Sequence, residues 1–328
     1  MRATQVDVAR IAGVSRQTVS LVVNSDKRVA VASRQAILKA IEKTGYRVNT
    51  AARKLATASS EVYGLLLPDL SNAFFGVLAQ KLREACDRDD IGLFVMTTDS
   101  ESERGAINRF VDFGVDGLLL VAPRRIESDF STVVRNTPSV VLTAPTSPEG
   151  ADLIYADDIG GARLATTELI TDGYTNIIHL CTLSDMKSAS TKLRKLGYYE
   201  AIASTGMTSN SFVIPDEAVE TKVSELLKQH GRGLAIVAHN GMTAFRSASA
   251  VMRSGLSVGA DVGITGFDNT YLAAIPGLAL TSIDQDTNRM TAKSVALLKQ
   301  RISGRKKDTQ LVLPTRLVRR ASSVRYGV

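Results

Sequence analysis

Residues 4–24, TQVDVARIAGVSRQTVSLVVN, decide how this chain begins to fold. Thr4 and Asp7 have the spacing of a capping box, a hydroxyl at the N-cap and a carboxylate three residues on. Val8, Ala9, Ile11 and Ala12 then offer an apolar face for a short helix. Gly13 ends it, because glycine enters the left-handed conformation without a steric penalty. Ser15 can cap a second helix, 16–24, whose buried face would be Val19, Val22 and Val23. A small residue four before the turn glycine (Ala9) and branched ones six and nine after it (Val19, Val22) let two helices cross closely at a tight turn. That is the spacing of a helix-turn-helix, whose second helix enters the major groove of DNA. An ordinary helical hairpin would satisfy the same apolar pattern, so charge has to separate the two.

Residues 1–58 hold eleven Lys and Arg against three Asp and Glu, a net +8; with +7 for the whole chain, the other 270 residues sum to −1. A short basic module joined to a neutral body points to a polyanion partner, double-stranded DNA. Ser15, Arg16, Gln17, Thr18 and Ser20 occupy the start and outer face of the second helix. Arg pairs with guanine and Gln with adenine, which makes Arg16 and Gln17 the direct-readout candidates. Thr4, Ser15, Thr18 and Asn24 suit phosphate contacts, which position without specifying. A third helix, about 32–44, carries Ile37, Ala40 and Ile41 on one face and stops at Gly45. NTAARKLATASS (49–60) reads either as a plain linker or as a hinge helix that wedges Leu55 between base pairs in the minor groove.

Composition excludes several classes. Cys86 and Cys181 are the only cysteines and form no CxxC, which suits a reducing compartment better than a disulfide scaffold. The start MRATQVDVARIAGV has no apolar h-region, and no run of 18 apolar residues follows, so a cytoplasmic location without membrane contact is expected. Trp is absent. No HExxH, P-loop, GxSxG or GxGxxG occurs, and three histidines and two cysteines do not assemble a structural zinc site. No enzyme, cofactor or metal is therefore expected. The alternatives are a solute-binding receptor and a sugar-handling enzyme of the same α/β class. A receptor would need an export signal, and an enzyme a base or nucleophile pair at the strand ends.

From residue 62 onward aliphatic strands alternate with amphipathic helices. Segments 62–68, 91–97, 116–122, 138–144, 176–182, 234–239 and 261–267 read as buried parallel strands. Helices are expected near 74–88, 101–113, 158–172, 190–204, 217–230 and 240–254. Such alternation builds doubly wound sheets, and ligands bind at the carboxyl ends of their strands. Asp69 and Asn72 follow the first strand, and Phe74 and Phe75 open the next helix. Asp157 and Asp158 follow a strand and start a helix, so one of them is open to a capping role. His239 and Asn240 end a strand, and His179 lies inside an apolar one. Asp268 follows a buried strand.

VDVARIAGVSRQTVSLVVN, GYRVNTAARKLA, GLLLPDLSNAFFGVLAQKLREA, VDGLLLVAP, LRKLGYYEAI, GADVGITGFDN and LTSIDQD stand in the order of the lac repressor/galactose repressor (LacI/GalR) family of bacterial regulators, which this chain resembles throughout. The resemblance implies an α/β, periplasmic-binding-protein-like core of two doubly wound lobes behind an all-α helix-turn-helix headpiece. It implies a headpiece at 1–48, a hinge at 49–60 and an effector and dimerisation domain at 61–328. The first lobe would be about 61–156 plus 285–313, the second about 157–284 plus 314–328. It further implies a homodimeric repressor whose hinge helices sit in the minor groove of operator DNA, adding Asn49, Ala52 and Leu55 to the DNA-binding candidates. Between the lobes it places a small-molecule effector, a sugar, sugar derivative or nucleoside/purine, with Asp69, Phe74, Phe75, Asp157, Arg194, His239, Asn240, Asp268 and Gln285 as contact candidates. Three positions depart from the family pattern: Gly241 stands for a usual Asp, Leu21 for an Arg, and Ala30 for a Ser cap.

Overall fold

The computed structural model describes residues 3–23, 26, 28–46, 59–97, 103–124 and 131–325. The chain divides into two compact units, 1–60 and 61–328.

The first unit holds α1 (Gln5–Ala12), α2 (Arg16–Val23) and α3 (Val31–Thr44). Both arms of the expected capping box form: the Asp7 amide donates to Thr4 Oγ1 at 3.4 Å, and the Thr4 amide to Asp7 Oδ2 at 3.0 Å. Gly13 ends α1 with φ 67° and Gly45 ends α3 with φ 62°. The Thr18 amide donates to Ser15 Oγ at 3.1 Å, capping α2. Val8, Ala9, Val19, Val22, Ile37 and Ala40 form the core. Ile11 departs from expectation and is 47% exposed. At 100° per residue, Val8, Ala9 and Ala12 share one arc of the helix, and Ile11 falls well outside it. Ala30 makes no side-chain cap to α3.

The second unit contains two six-stranded sheets. The first part of its chain runs β1 (Val62–Leu67), α4 (Ala73–Asp87), β2 (Gly92–Thr97), α5 (Glu103–Phe113), β3 (Gly117–Val121), α6 (Ser131–Asn136), β4 (Ser139–Leu142) and β5 (Ala151–Ala156). Next come α7 (Asp158–Thr171), β6 (Asn176–Thr182), α8 (Ser190–Ala203), β7 (Asn210–Ile214), α9 (Val219–His230), β8 (Leu234–Ala238), α10 (Gly241–Arg253), β9 (Gly263–Phe267) and β10 (Thr281–Asp284). Finally α11 (Thr287–Ile302) and β11 (Gln310–Leu313) return to the first sheet, and β12 (Arg316–Val318) to the second. The strand orders are β11-β5-β4-β3-β1-β2 and β12-β10-β9-β8-β6-β7. Among the described residues only the β10–β12 pair is antiparallel. The chain thus passes between the sheets after Ala156, between Asp284 and Thr287, and between Leu313 and Arg316.

The central strands β3, β4, β8 and β9 are buried along their whole length, as parallel strands covered on both faces must be. Segment 91–97 is not such a strand. β2 is the edge of the first sheet, and Val95 and Thr97 are exposed there. Each lobe keeps one thiol inside: Cys86 on α4 and Cys181 on β6 are both buried, and burial raises each to about 11. No helix among the described residues is long and apolar enough to cross a membrane.

Candidate functional site

Each sheet reverses its strand order at one place, between β1 and β3 in the first and between β6 and β8 in the second. Loops leaving neighbouring strands in opposite directions open a crevice at such a switch point. A cleft of about 320 Å³ lies there, within the range of small-molecule sites. The first lobe contributes Asp69, Phe74, Phe75, Arg124 and Thr143, and the second Asp158, Asp185, Arg194, His239, Asn240, Asp268 and Gln285. Ala122, Thr143 and Asp268 line it with positive φ (43°, 54° and 85°) although none is glycine. Strained backbone of this kind, about 1–3 kcal/mol each, gathers at ligand sites.

Arg194 organises the second-lobe wall. Gly197 follows it on α8 and lies so close to α7 that a Cβ there would stand 2.2 Å from the Ile159 carbonyl oxygen. This close crossing brings the first residue of α7, Asp158, to the guanidinium: Nε donates to Asp158 Oδ1 at 2.7 Å. Nη1 donates to the His239 carbonyl at 2.7 Å and stands 3.9 Å from Asp268 Oδ1. The guanidinium also stacks on the Phe267 ring, 3.6 Å from its centroid. Arg194 is only 7% exposed, which excludes a solvated helix charge.

Three carboxyls surround this one cation. Gln285 Nε2 donates to Asp268 at 2.7 Å. Asp185 accepts from the Thr182 amide at 2.8 Å and from Asn240 Nδ2 at 2.7 Å. Burial pushes Asp158, Asp185 and Asp268 above the usual carboxylate range, and the Arg194 guanidinium opposes the rise in each. Behind them His179 donates to or accepts from Ser211 Oγ at 3.0 Å, and its ring meets His239 edge to face at 6.4 Å. Burial lowers His179 to about 4, helped by Lys195 and Arg194. His239 is pushed well below its ordinary value by burial, then by Arg194 and His179.

Most of the effector candidates converge here, with two qualifications. Asp157 is not in the cleft. It is the N-cap of α7, its Oδ1 accepting the Gly160 amide at 2.8 Å, so its carboxylate is turned back onto the helix and Asp158 takes the place in the wall. Asn240 lines the cleft but is tied as the α10 cap, Oδ1 accepting the Thr243 amide at 2.9 Å. Phe74 is nearly buried and Phe75 half-buried, their rings 5.6 Å apart in a T-shape. Asp69 Oδ1 accepts from the Ser71 and Asn72 amides, shaping the turn into α4. Sequence reasoning missed Asp185, Arg124 and Thr143. Asp185 stands three residues beyond a strand, so the strand-end rule that found Asp268 would have found it too.

In the first unit, Arg16 and Gln17 are exposed at the start of α2, while Val19 and Val22 seal its other side. Ser15 Oγ and Thr18 Oγ1 are 2.8 Å apart, and Ser20 is half-buried. The Thr4 hydroxyl is engaged with Asp7 at 2.7 Å. Asn24, Asn49, Ala52 and Leu55 lie outside the described residues.

Residues 4–49 match the family described as bacterial regulatory proteins, lacI family, and residues 166–323 a periplasmic binding protein-like domain. The chain is 30% identical over 303 residues to the HTH-type transcriptional regulator GalR of Escherichia coli (strain K12), covering 90% of this chain and 88% of that one. It is 29% identical over 319 residues to the HTH-type transcriptional repressor PurR of Aliivibrio salmonicida (strain LFI1238), covering 94% and 95%. Among solved structures it resembles the lac repressor dimer bound to operator and the anti-inducer ONPF, with TM-score 0.85, 25% identity, and 99% and 100% of the two chains covered. It also resembles the transcriptional regulator CelR in complex with cellobiose, with TM-score 0.69, 26% identity, and 98% and 100% covered.

Proposed function

The chain belongs to the lacI family of bacterial regulatory proteins, and from that premise we propose how this DNA-binding transcriptional regulator is built to switch. Two copies grip a near-palindromic operator in the cytoplasm as a repressor. Arg16 and Gln17 read bases, Ser15, Thr18 and Asn24 hold phosphates, and Asn49, Ala52 and Leu55 engage the minor groove. A sugar, sugar derivative or nucleoside binds between the lobes, and the protein acts by binding without turnover. The observation that carries the effector reading is the buried Arg194, held between Asp158 and Asp268 on a wall of the cleft. Water-excluded polar groups of this kind discriminate strongly, because a wrong ligand leaves them unpaired.

The switch follows from linkage: the effector moves operator affinity by its differential affinity for the two states, and by no more. Two measurements test the reading. A thermal-shift screen with cellobiose, D-xylulose, myo-inositol and adenosine should yield a stabiliser, since a ligand of the folded state raises its melting point by mass action. Gel shift on the organism's own promoter fragments should show binding that is lost when residues 1–58 are deleted. Arg16→Ala or Gln17→Ala should cost roughly 1–3 kcal/mol at one base position; a uniform loss over all operators would make them phosphate contacts instead.

A further inference from the structure

We infer that His239 is a hydrogen-bond donor of the effector site, presenting Nε2–H to an acceptor atom of the bound molecule. The inference rests on the reading of the cleft as the effector site and adds to it a role and a chemical demand on the ligand.

His239 follows β8 directly, at the switch point where β6 and β8 lie side by side. Its main chain is fixed on both sides: the amide donates to the Leu180 carbonyl at 2.9 Å, and the carbonyl accepts from Arg194 Nη1. The residue is 4% exposed and lines the cleft. Nδ1 is wholly buried and has no hydrogen-bond partner among the described residues. Buried N–H groups left without an acceptor are the rarest kind of unpaired group, so the single proton of a neutral ring belongs on Nε2. Burial, then the Arg194 guanidinium and the edge-on His179 ring, push its proton affinity well below the ordinary imidazole value, which favours the neutral ring.

The surrounding wall gives this donor its value. Asp158, Asp185 and Asp268 present acceptors. Asn240 and Gln285 turn their amide NH₂ groups onto Asp185 and Asp268, and Arg194 turns Nε onto Asp158. On this part of the wall a ligand meets carboxyls that accept its hydroxyl or amino hydrogens, with Arg124, Arg246 and Ser184 lining the cleft elsewhere. An acceptor of its own, whether a ring oxygen, a carbonyl oxygen or a ring nitrogen, is matched by the imidazole. Such a pairing discriminates against an analogue lacking that acceptor.

Nitrogen-15 NMR of the full-length chain reads the tautomer directly, because only three imidazoles are present and His239→Gln removes one. The expected spectrum has His239 protonated at Nε2 and bare at Nδ1. Cellobiose, D-xylulose, myo-inositol and adenosine then serve as probes by calorimetry. For whichever binds, His239→Leu should weaken affinity about tenfold, the loss of one hydrogen bond. His239→Gln, whose amide nitrogen can stand near the place of Nε2, should retain most of the affinity, and His239→Asn should not. An Nδ1–H ring, or unchanged affinity in His239→Leu, overturns this inference and leaves the effector reading standing. Failure of all four probes to bind the parent chain would overturn both.

Discussion

The two lobes share a wiring and differ in where they keep buried charge. In each, the strand order runs inward from a late strand and reverses at a switch point, between β1 and β3 or between β6 and β8. The first lobe places its arginine-centred ion cluster at the amino end of its sheet, while its buried Glu103 accepts the Arg124 amide beyond β3. Asp152, the second residue of β5, is fully buried between Arg301 and Arg305, with the Thr309 amide donating to it at 2.8 Å. These groups clasp β11 to β5, far along the strands from the cleft. The second lobe places Asp158, Asp185, Arg194 and Asp268 at the carboxyl end, facing the cleft. Under the proposed function, two arginine-centred clusters of similar burial thus serve architecture in one lobe and recognition in the other. What separates the two is the end of the strand on which each stands.

The sharpest way to break this contrast is to remove both cations in turn. Arg194→Ala should destabilise the protein by about 3–5 kcal/mol, because it leaves the buried Asp158 and Asp268 without their cation, and Arg301→Ala by less, because Arg305 still pairs with Asp152. Denaturant titration reads that loss. Only Arg194→Ala should also abolish the response of operator binding to effector; loss of response in Arg301→Ala would dissolve the distinction. A second test uses pH, since all three histidines lie in the second lobe. An unfolded imidazole takes its proton near 6.5, whereas folded His179 takes it only near 4. Its contribution is therefore whole above pH 6.5 and lost as pH falls toward 4, at about 1.4 kcal/mol per unit. His179→Gln should gain on the parent over that window, and parallel stability curves would contradict it.

Two smaller effects refine the picture. Gly197→Ala should cost about 1–3 kcal/mol, because the added methyl forces α7 and α8 apart and moves Arg194 off Asp158. Calorimetry against the effector should show weakened binding as well. In the separate first unit, Thr4→Ala should cost about 1 kcal/mol by opening the capping box. Circular dichroism melting should assign that loss to the helical unit and leave the body unchanged.

Much of this was legible before any coordinates. The helix-turn-helix could be read because Ala9, Gly13, Val19 and Val22 must stand at fixed spacings for two helices to cross. The long aliphatic runs of the central strands were equally plain. β10, β11 and β12 were not: each has only three or four residues and lies beside a passage between lobes, so no periodicity develops. The composition of β2 is that of a core strand, so nothing in it betrays that it forms an edge. Asp157 and Asp158 could not be separated by sequence, since either could cap α7. The cap geometry decides between them, and it sends the neighbour into the cleft. Arg124 and Thr143 gave no signal because their roles come only from the backbone turns after β3 and β4.

The placement of the thiols has a practical consequence for watching the molecule move. With Cys86 and Cys181 sealed in separate cores and held protonated, the native chain should resist maleimide labelling while folded. A pair of surface cysteines, one per lobe, would then carry spectroscopic probes with neither native residue replaced. The distance between them, followed with and without effector, would measure lobe closure in a chain that has no tryptophan to compete with the dyes.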